Sequence, residues 1–372
     1  MRISIPISAF LAVCMSVQAA DRWDQQYSFQ QYQSSLVISD IKFSSAKRGV
    51  AAGYILRNDK PSPTVLITSD GGAHWTLVPV KEEPYSLFFL DETIGWMVTD
   101  KGLWQTDEAG RTWKKLAALP KGITRVHFTD RKHGWAIGNQ MAASETKDGG
   151  ATWHPLPVLA ELKATPEYTT FQAIAFGNSD YGIIVGTDVP SRRGEVPDWM
   201  DPARAQNRRL LPSTLVLLQT LDGGESWKPS SASIFGKVTR ISVTPGGDSL
   251  GLVEFGSNFD WPSEVYRFHA GGGESTRVFR KADRLTTDIL LTEGGTGYFA
   301  GVETTAVVRD NPIAEKVKII RTRDNENFEE MQVDYRAHAH RVFLAAAPSA
   351  GLNPEIWAAT DTGTILKLVT GK

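Results

Sequence analysis

Thiol chemistry is almost absent from this sequence, whose only cysteine is Cys14. That residue sits in an apolar run, residues 3–17, which follows Arg2 and leads into Val17-Gln18-Ala19, the small-residue pattern a signal peptidase accepts. The expectation is export with cleavage after Ala19, giving a periplasmic or secreted chain. Loss of the leader removes the thiol, which excludes disulfides, thiolate metal ligands and a cysteine nucleophile from the mature protein. Lipoprotein attachment through Cys14 is the competing reading, but Val13 is bulkier than the residue such sites accept before their cysteine. Long apolar runs are also missing: beyond the leader nothing approaches the ~20 residues a spanning helix requires, so a soluble mature protein is expected. Neither sign of charge dominates. The 40 Lys and Arg against 42 Asp and Glu leave a formal charge of -2, too little basic surface for a nucleic-acid backbone. Of the 7 histidines, His338 and His340 fall on one face of a strand without a third ligand at suitable spacing, so neither metal nor cofactor is expected.

What the chain has in abundance is glycine, 33 residues, arranged with a period. Residues 68–75 (Thr-Ser-Asp-Gly-Gly-Ala-His-Trp) recur at 106–113, 146–153 and 220–227 as variants of the Asp-box pattern Ser/Thr-x-Asp-x-Gly-x-Thr-Trp. Trp75, Trp113 and Trp153 follow one another at about the length of a four-stranded propeller blade, and Trp227 after roughly twice that. A second signature precedes the boxes. Phe43 leads to Gly49 and Gly53, Phe128 to Gly134 and Gly138, Phe176 to Gly182 and Gly186, and Leu291 to Gly297 and Gly301, while Phe89 and Gly95 keep the first half. Each reads as an apolar inner strand, a polar turn and a small-residue second strand near a crowded axis.

The register predicts an all-β, single closed propeller of seven four-stranded blades, with six or eight as the alternatives. Residues 1–19 are the leader and 20–372 the propeller, with blades at about 39–80, 84–119, 123–158, 168–232, 238–280, 286–334 and 338–370. Two later boxes are degraded: residues 269–275 have lost the Asp, and 322–328 are one residue short with Phe328 for Trp. The last blade lacks an outer strand, and the stretch around Tyr27 to Leu36 is expected to supply it and so close the ring. Asp70, Trp75, Glu108, Trp113, Asp148, Trp153, Asp222 and Trp227 are assigned to the boxes as structural residues, because repetition in blade after blade is what packing demands. Burial of each box Trp is worth roughly 2–3 kcal/mol by apolar area.

Boxes between third and outer strands mark one face of the disc, so loops between second and third strands and between blades emerge on the other. The long connections fall on that second face: residues 57–61, 256–262, 303–312 and above all 187–212. Insertions on one face of a rigid scaffold are the usual carriers of binding function. The largest holds Arg192, Arg193, Trp199, Arg204, Arg208 and Arg209, and blade 5 adds Trp261; arginine and tryptophan are the commonest interface anchors, and these seven are the candidate partner-binding residues. A solvated loop with locally paired charges is the plainer account of the same residues.

The boxes and the Phe-(x)5-Gly-x-x-x-Gly spacing resemble the bacterial-neuraminidase-repeat (BNR) propellers, especially the branch similar to the photosystem II stability and assembly factor. The resemblance covers nearly all of the mature chain. It implies a single, exported, seven-bladed, monomeric propeller that binds a protein partner, a membrane-protein complex included, without catalysis. An arginine patch serves that binding in the family, but its residues do not map individually onto Arg192, Arg193, Arg208 or Arg209. The alternative is a sialidase-like glycoside hydrolase or carbohydrate-binding propeller, for which Asp198 and Asp260 would be the acid/base pair. Against it, the Phe-Arg-Ile-Pro start of sialidases is replaced by Tyr54-Ile55-Leu56-Arg57.

Overall fold

The computed structural model describes residues 20–116, 118–189, 212–256, 259–269, 274–304, 314–348 and 354–371. In it the repeats become seven antiparallel sheets, each the blade of one propeller. Blade 1 shows the plan: inner strand Ser34–Phe43, second strand Gly49–Arg57, third strand Lys60–Thr68 and outer strand Thr76–Pro79. The inner strands of the other blades are Pro84–Phe89, Ile123–Phe128, Thr169–Phe176, Lys237–Val243, Arg284–Leu291 and Val342–Ala347.

Both glycines of the second signature are explained by what stands opposite them. A methyl group on Gly49 would lie 2.5 Å from the Phe43 ring, and on Gly134 2.4 Å from Phe128, because the aromatic side chain folds over the first residue of the paired strand. The second glycine faces a β-bulge. At Ile38/Asp40, Ile123/Arg125 and Thr286/Asp288 the inner strand carries an extra residue, and the carbonyl this turns outward would be 1.9 Å from a Cβ on Gly53, Gly138 or Gly301. The crowding comes from the neighbouring strand, not from the propeller axis.

Blades are joined by aromatic packing. Phe43 stacks on Trp357 of blade 7 at 4.6 Å, Phe128 on Trp96 of blade 2 at 3.8 Å, and Phe176 on Trp135 of blade 3 at 4.5 Å. Box tryptophans then approach edge-on: Trp75 meets Phe43 and Trp357, and Trp227 meets Trp135 and Phe176. Such pairs contribute about 0.5–1.5 kcal/mol each beyond the burial itself. The boxes also hold themselves. Thr68 Oγ1 accepts from the Gly72 amide at 2.9 Å, and Asp70 Oδ1 from the His74 amide at 3.0 Å, with equivalents at Thr146/Asp148 and Thr220/Asp222. Gly72 (φ 83°) adopts the left-handed conformation and lies against the Trp357 indole, so it serves turn and blade junction together. The short box closes as well, with Asp324 Oδ1 accepting from the Glu326 and Asn327 amides at 2.9 and 2.7 Å.

Ring closure uses Arg22–Ser28, which pairs antiparallel with Thr364–Val369 as the outer strand of blade 7. The chain supplies this strand slightly earlier than the Tyr27–Leu36 stretch read from sequence, and from Ser34 onward it already belongs to blade 1. Trp23, fully buried, donates its indole N–H to Met331 Sδ at 3.3 Å, and Asp21 pairs with Arg321. The N-terminal segment is thereby tied to blade 6 as well.

Candidate partner-binding face

Antiparallel pairing sends each inner strand toward its Asp-box end, so connections from second to third strand and from blade to blade lie on the opposite face. At blades 4 and 5 this face carries aromatic side chains. Phe235, in the connection between these blades, is 46% exposed and sits 6.0 Å from Phe259, which lies 4.9 Å from Phe255. Close in sequence, Trp261 is half-buried and covered by the Arg280 guanidinium at 3.9 Å from the ring centroid, a cation–π contact. Arg280 is oriented by buried Glu264, which it meets at 3.1 Å and which also pairs with Arg277 at 3.4 Å and accepts from the Tyr266 hydroxyl at 2.6 Å. Burial and this hydrogen bond to the carboxylate push the Tyr266 phenol up to about 12.

The same face has a groove of about 370 Å³ between blades 2 and 3, lined by exposed Tyr85 with Lys101, Leu119, Lys121 and Asn139 among others. Thr99, which also lines it, donates through Oγ1 to nearly buried Glu82 at 2.6 Å, and Glu82 further accepts from the Trp104 indole at 2.7 Å and pairs with Lys115 at 2.5 Å.

Of the seven residues proposed from sequence, Trp261 stands on this face; Arg192, Arg193, Trp199, Arg204, Arg208 and Arg209 lie outside the described residues, as does Asp198. Residues 57–61 prove not to be a lengthened loop. Asn58 (φ 48°) and Asp59 (φ 59°) make a two-residue turn, and it is the flanking strands that run long. Sequence reasoning missed Phe235 and Arg280. A signal for the first was available in Ile234-Phe235-Gly236, a bulky apolar residue at a blade junction; Arg280 reaches Trp261 only through the pairing of blade 5's third and outer strands. His340 Nδ1 lies 3.3 Å from Asp361, and His338 Nδ1 3.2 Å from the Arg336 carbonyl.

Comparison with known proteins bears on the whole ring. A family model described as photosynthesis system II assembly factor YCF48 matches residues 118–190. Photosystem II assembly protein Ycf48 of Thermosynechococcus vestitus (strain NIES-2133 / IAM M-273 / BP-1) is 25% identical over 153 residues, 36% of this chain. The match spans 42% of that protein's length. A solved structure titled YCF48 bound to D1 peptide superposes with a TM-score of 0.59 at 16% identity, over 94% of this chain and 97% of that one. This chain is similar to the Ycf48 propellers. YCF48 from Cyanidioschyzon merolae is similar in the same way, at TM-score 0.57 and 14% identity over 94% of this chain and 98% of that one. The family-model segment covers all four strands of blade 3 and the first two of blade 4.

Proposed function

We propose that this chain is an exported, non-catalytic propeller that binds a segment of a partner protein on the face opposite its Asp boxes, as an assembly factor for a membrane-protein complex. The observation that carries this reading is the Phe235, Phe255 and Phe259 cluster beside the Arg280-capped Trp261. A partly exposed aromatic surface with an arginine held beside it is what an amphipathic peptide with acidic groups requires. The relative whose structure is titled YCF48 bound to D1 peptide supports a peptide as the bound form. Arg192, Arg193, Trp199, Arg204, Arg208 and Arg209, which lie in the sequence between Asp188 and Ser213, are further candidate contact residues.

The test is affinity capture with the mature protein, comparing wild type with Phe235→Asp, Trp261→Ala and a deletion of residues 192–209. The reading expects the same captured protein to be lost from each variant while the circular dichroism of the ring is retained. Capture unchanged by all three variants contradicts it.

A further inference from the structure

The inner strands also line a central channel whose charges do not balance. At the bulge of blade 1 stands Asp40, at the corresponding position of blade 3 Arg125, of blade 5 Arg240 and of blade 6 Asp288. Both carboxylates are already engaged. Asp40 accepts from the Ile41 and Leu87 amides at 2.9 Å each and pairs with Lys42 at 2.8 Å, and Asp288 accepts from the Ile289 and Leu344 amides at 2.9 and 2.8 Å with Arg240 at 3.4 Å. Each therefore staples its own blade to the next. Arg341 has its own partner in Glu254 at 2.5 Å. Arg125 has none: among the described residues its guanidinium makes no hydrogen bond and no ion pair.

Arg125 lines a cavity of about 260 Å³ together with Lys42, Ser86, Phe88 and His127. Burial and the charge of Arg240 hold its guanidinium down at about 10, against the opposing pull of Asp40 and Asp288. Burial likewise drives His127 down to about 3, so this wall of the cavity is a neutral imidazole at physiological pH. Three cations, Lys42, Arg125 and Arg240, then face two carboxylates, which leaves one positive charge uncompensated in a half-open cavity where Arg125 is partly buried. A guanidinium presents two parallel N–H donors matched to a planar carboxylate, and the Phe88 ring offers an apolar surface to a short carbon chain.

We propose that this channel cavity is a binding site for a small monocarboxylate, seated on Arg125 beside Phe88 and His127. The site lies at the end of the channel nearer the Asp boxes, since Phe43 and Phe89, the last residues of their inner strands, complete its lining. It is accordingly independent of the partner-binding face.

The experiment is calorimetric titration of the mature chain with sodium propionate, and separately with sodium phosphate, at constant ionic strength set by sodium chloride. Saturable one-to-one binding of propionate is expected, weakened at least about tenfold in Arg125→Gln and by a smaller factor in Arg125→Lys, which keeps the charge and loses the paired donors. Should Arg125→Gln fail to fold, Arg125→Lys decides, and equal affinity to wild type overturns the site. No saturable propionate binding, or binding indifferent to Arg125→Gln, also overturns it. Tighter binding of phosphate than of propionate overturns the carboxylate assignment.

Discussion

Phe128 lies flat on Trp96, with ring centroids 3.8 Å apart and planes only 5° from parallel. One residue ends the inner strand of blade 3 and the other lies in the second strand of blade 2, Gly95–Thr99, so this stack is a blade junction condensed into two side chains. Both are almost completely buried. Phe128→Ala removes the stack, the lid over Gly134 and the edge contact to Trp153, and is expected to cost about 3–5 kcal/mol. Equilibrium urea unfolding measures this, with Phe235→Ala, exposed and outside the aromatic stacks that join the blades, as the comparison that should lose less than about 1 kcal/mol.

Glycines divide into two kinds by what surrounds them. Gly53→Ala would place a methyl 1.9 Å from the Val37 carbonyl oxygen and should lower the melting temperature sharply, since backbone must move. Gly246→Ala meets only Thr244 Oγ1 at 4.0 Å and should leave thermal unfolding by differential scanning fluorimetry nearly unchanged.

Acid should weaken the boxes over a defined window. The His74 amide and ring hold the Asp70 carboxyl at about 2, the Thr152 hydroxyl and amide do the same for Asp148, and Ser226 for Asp222, all below the ordinary 3.8. Because the folded values are depressed, the stabilisation is complete above the unfolded value and is lost as pH falls from about 4 through 2. The urea midpoint should therefore drop between pH 5 and pH 2.5, and the drop should shrink in the Asp148→Asn variant. A midpoint with no change over that interval would show that the boxes do not depend on these carboxylates.

Closure rests on the N-terminal strand. Trp23→Ala strips the largest side chain from Arg22–Ser28, leaving a cavity against Met331, Tyr298 and the last blade. The expected result is a cost of about 3–5 kcal/mol together with a shift toward oligomers in size-exclusion chromatography as blade 7 exposes its edge.

The ring was legible in the sequence because its determinants repeat. Phe43 and Gly49, or Trp75 and Asp70, lie close enough in the chain for their spacing to be read directly. The closing strand was located only approximately, since Arg22–Ser28 pairs with residues at the far end of the chain and carries no box. Asn58-Asp59 was misread as part of a long loop because a two-residue turn on extended strands has the same composition as a polar insertion. The channel charges went unseen for a different reason. Asp40, Arg125, Arg240 and Asp288 meet only across the axis, one per blade, although each stands three residues before the last residue of its signature or inner strand, and that column could have been read. The partner-binding candidates followed from the side on which insertions fall, which topology dictates; Arg280 could not be assigned to Trp261 without the register of blade 5.

The claim that partner binding belongs to the face opposite the boxes is tested most directly by cross-linking the captured complex through lysine and mapping the linked sites. Exposed lysines mark both sides of the disc: Lys81, Lys101, Lys121 and Lys237 on the proposed face, and Lys47, Lys132 and Lys147 among the boxes and their neighbouring turns. Links to the partner concentrated on the first group are the result predicted. Links concentrated on Lys47, Lys132 and Lys147 would place the partner on the Asp boxes and contradict the account.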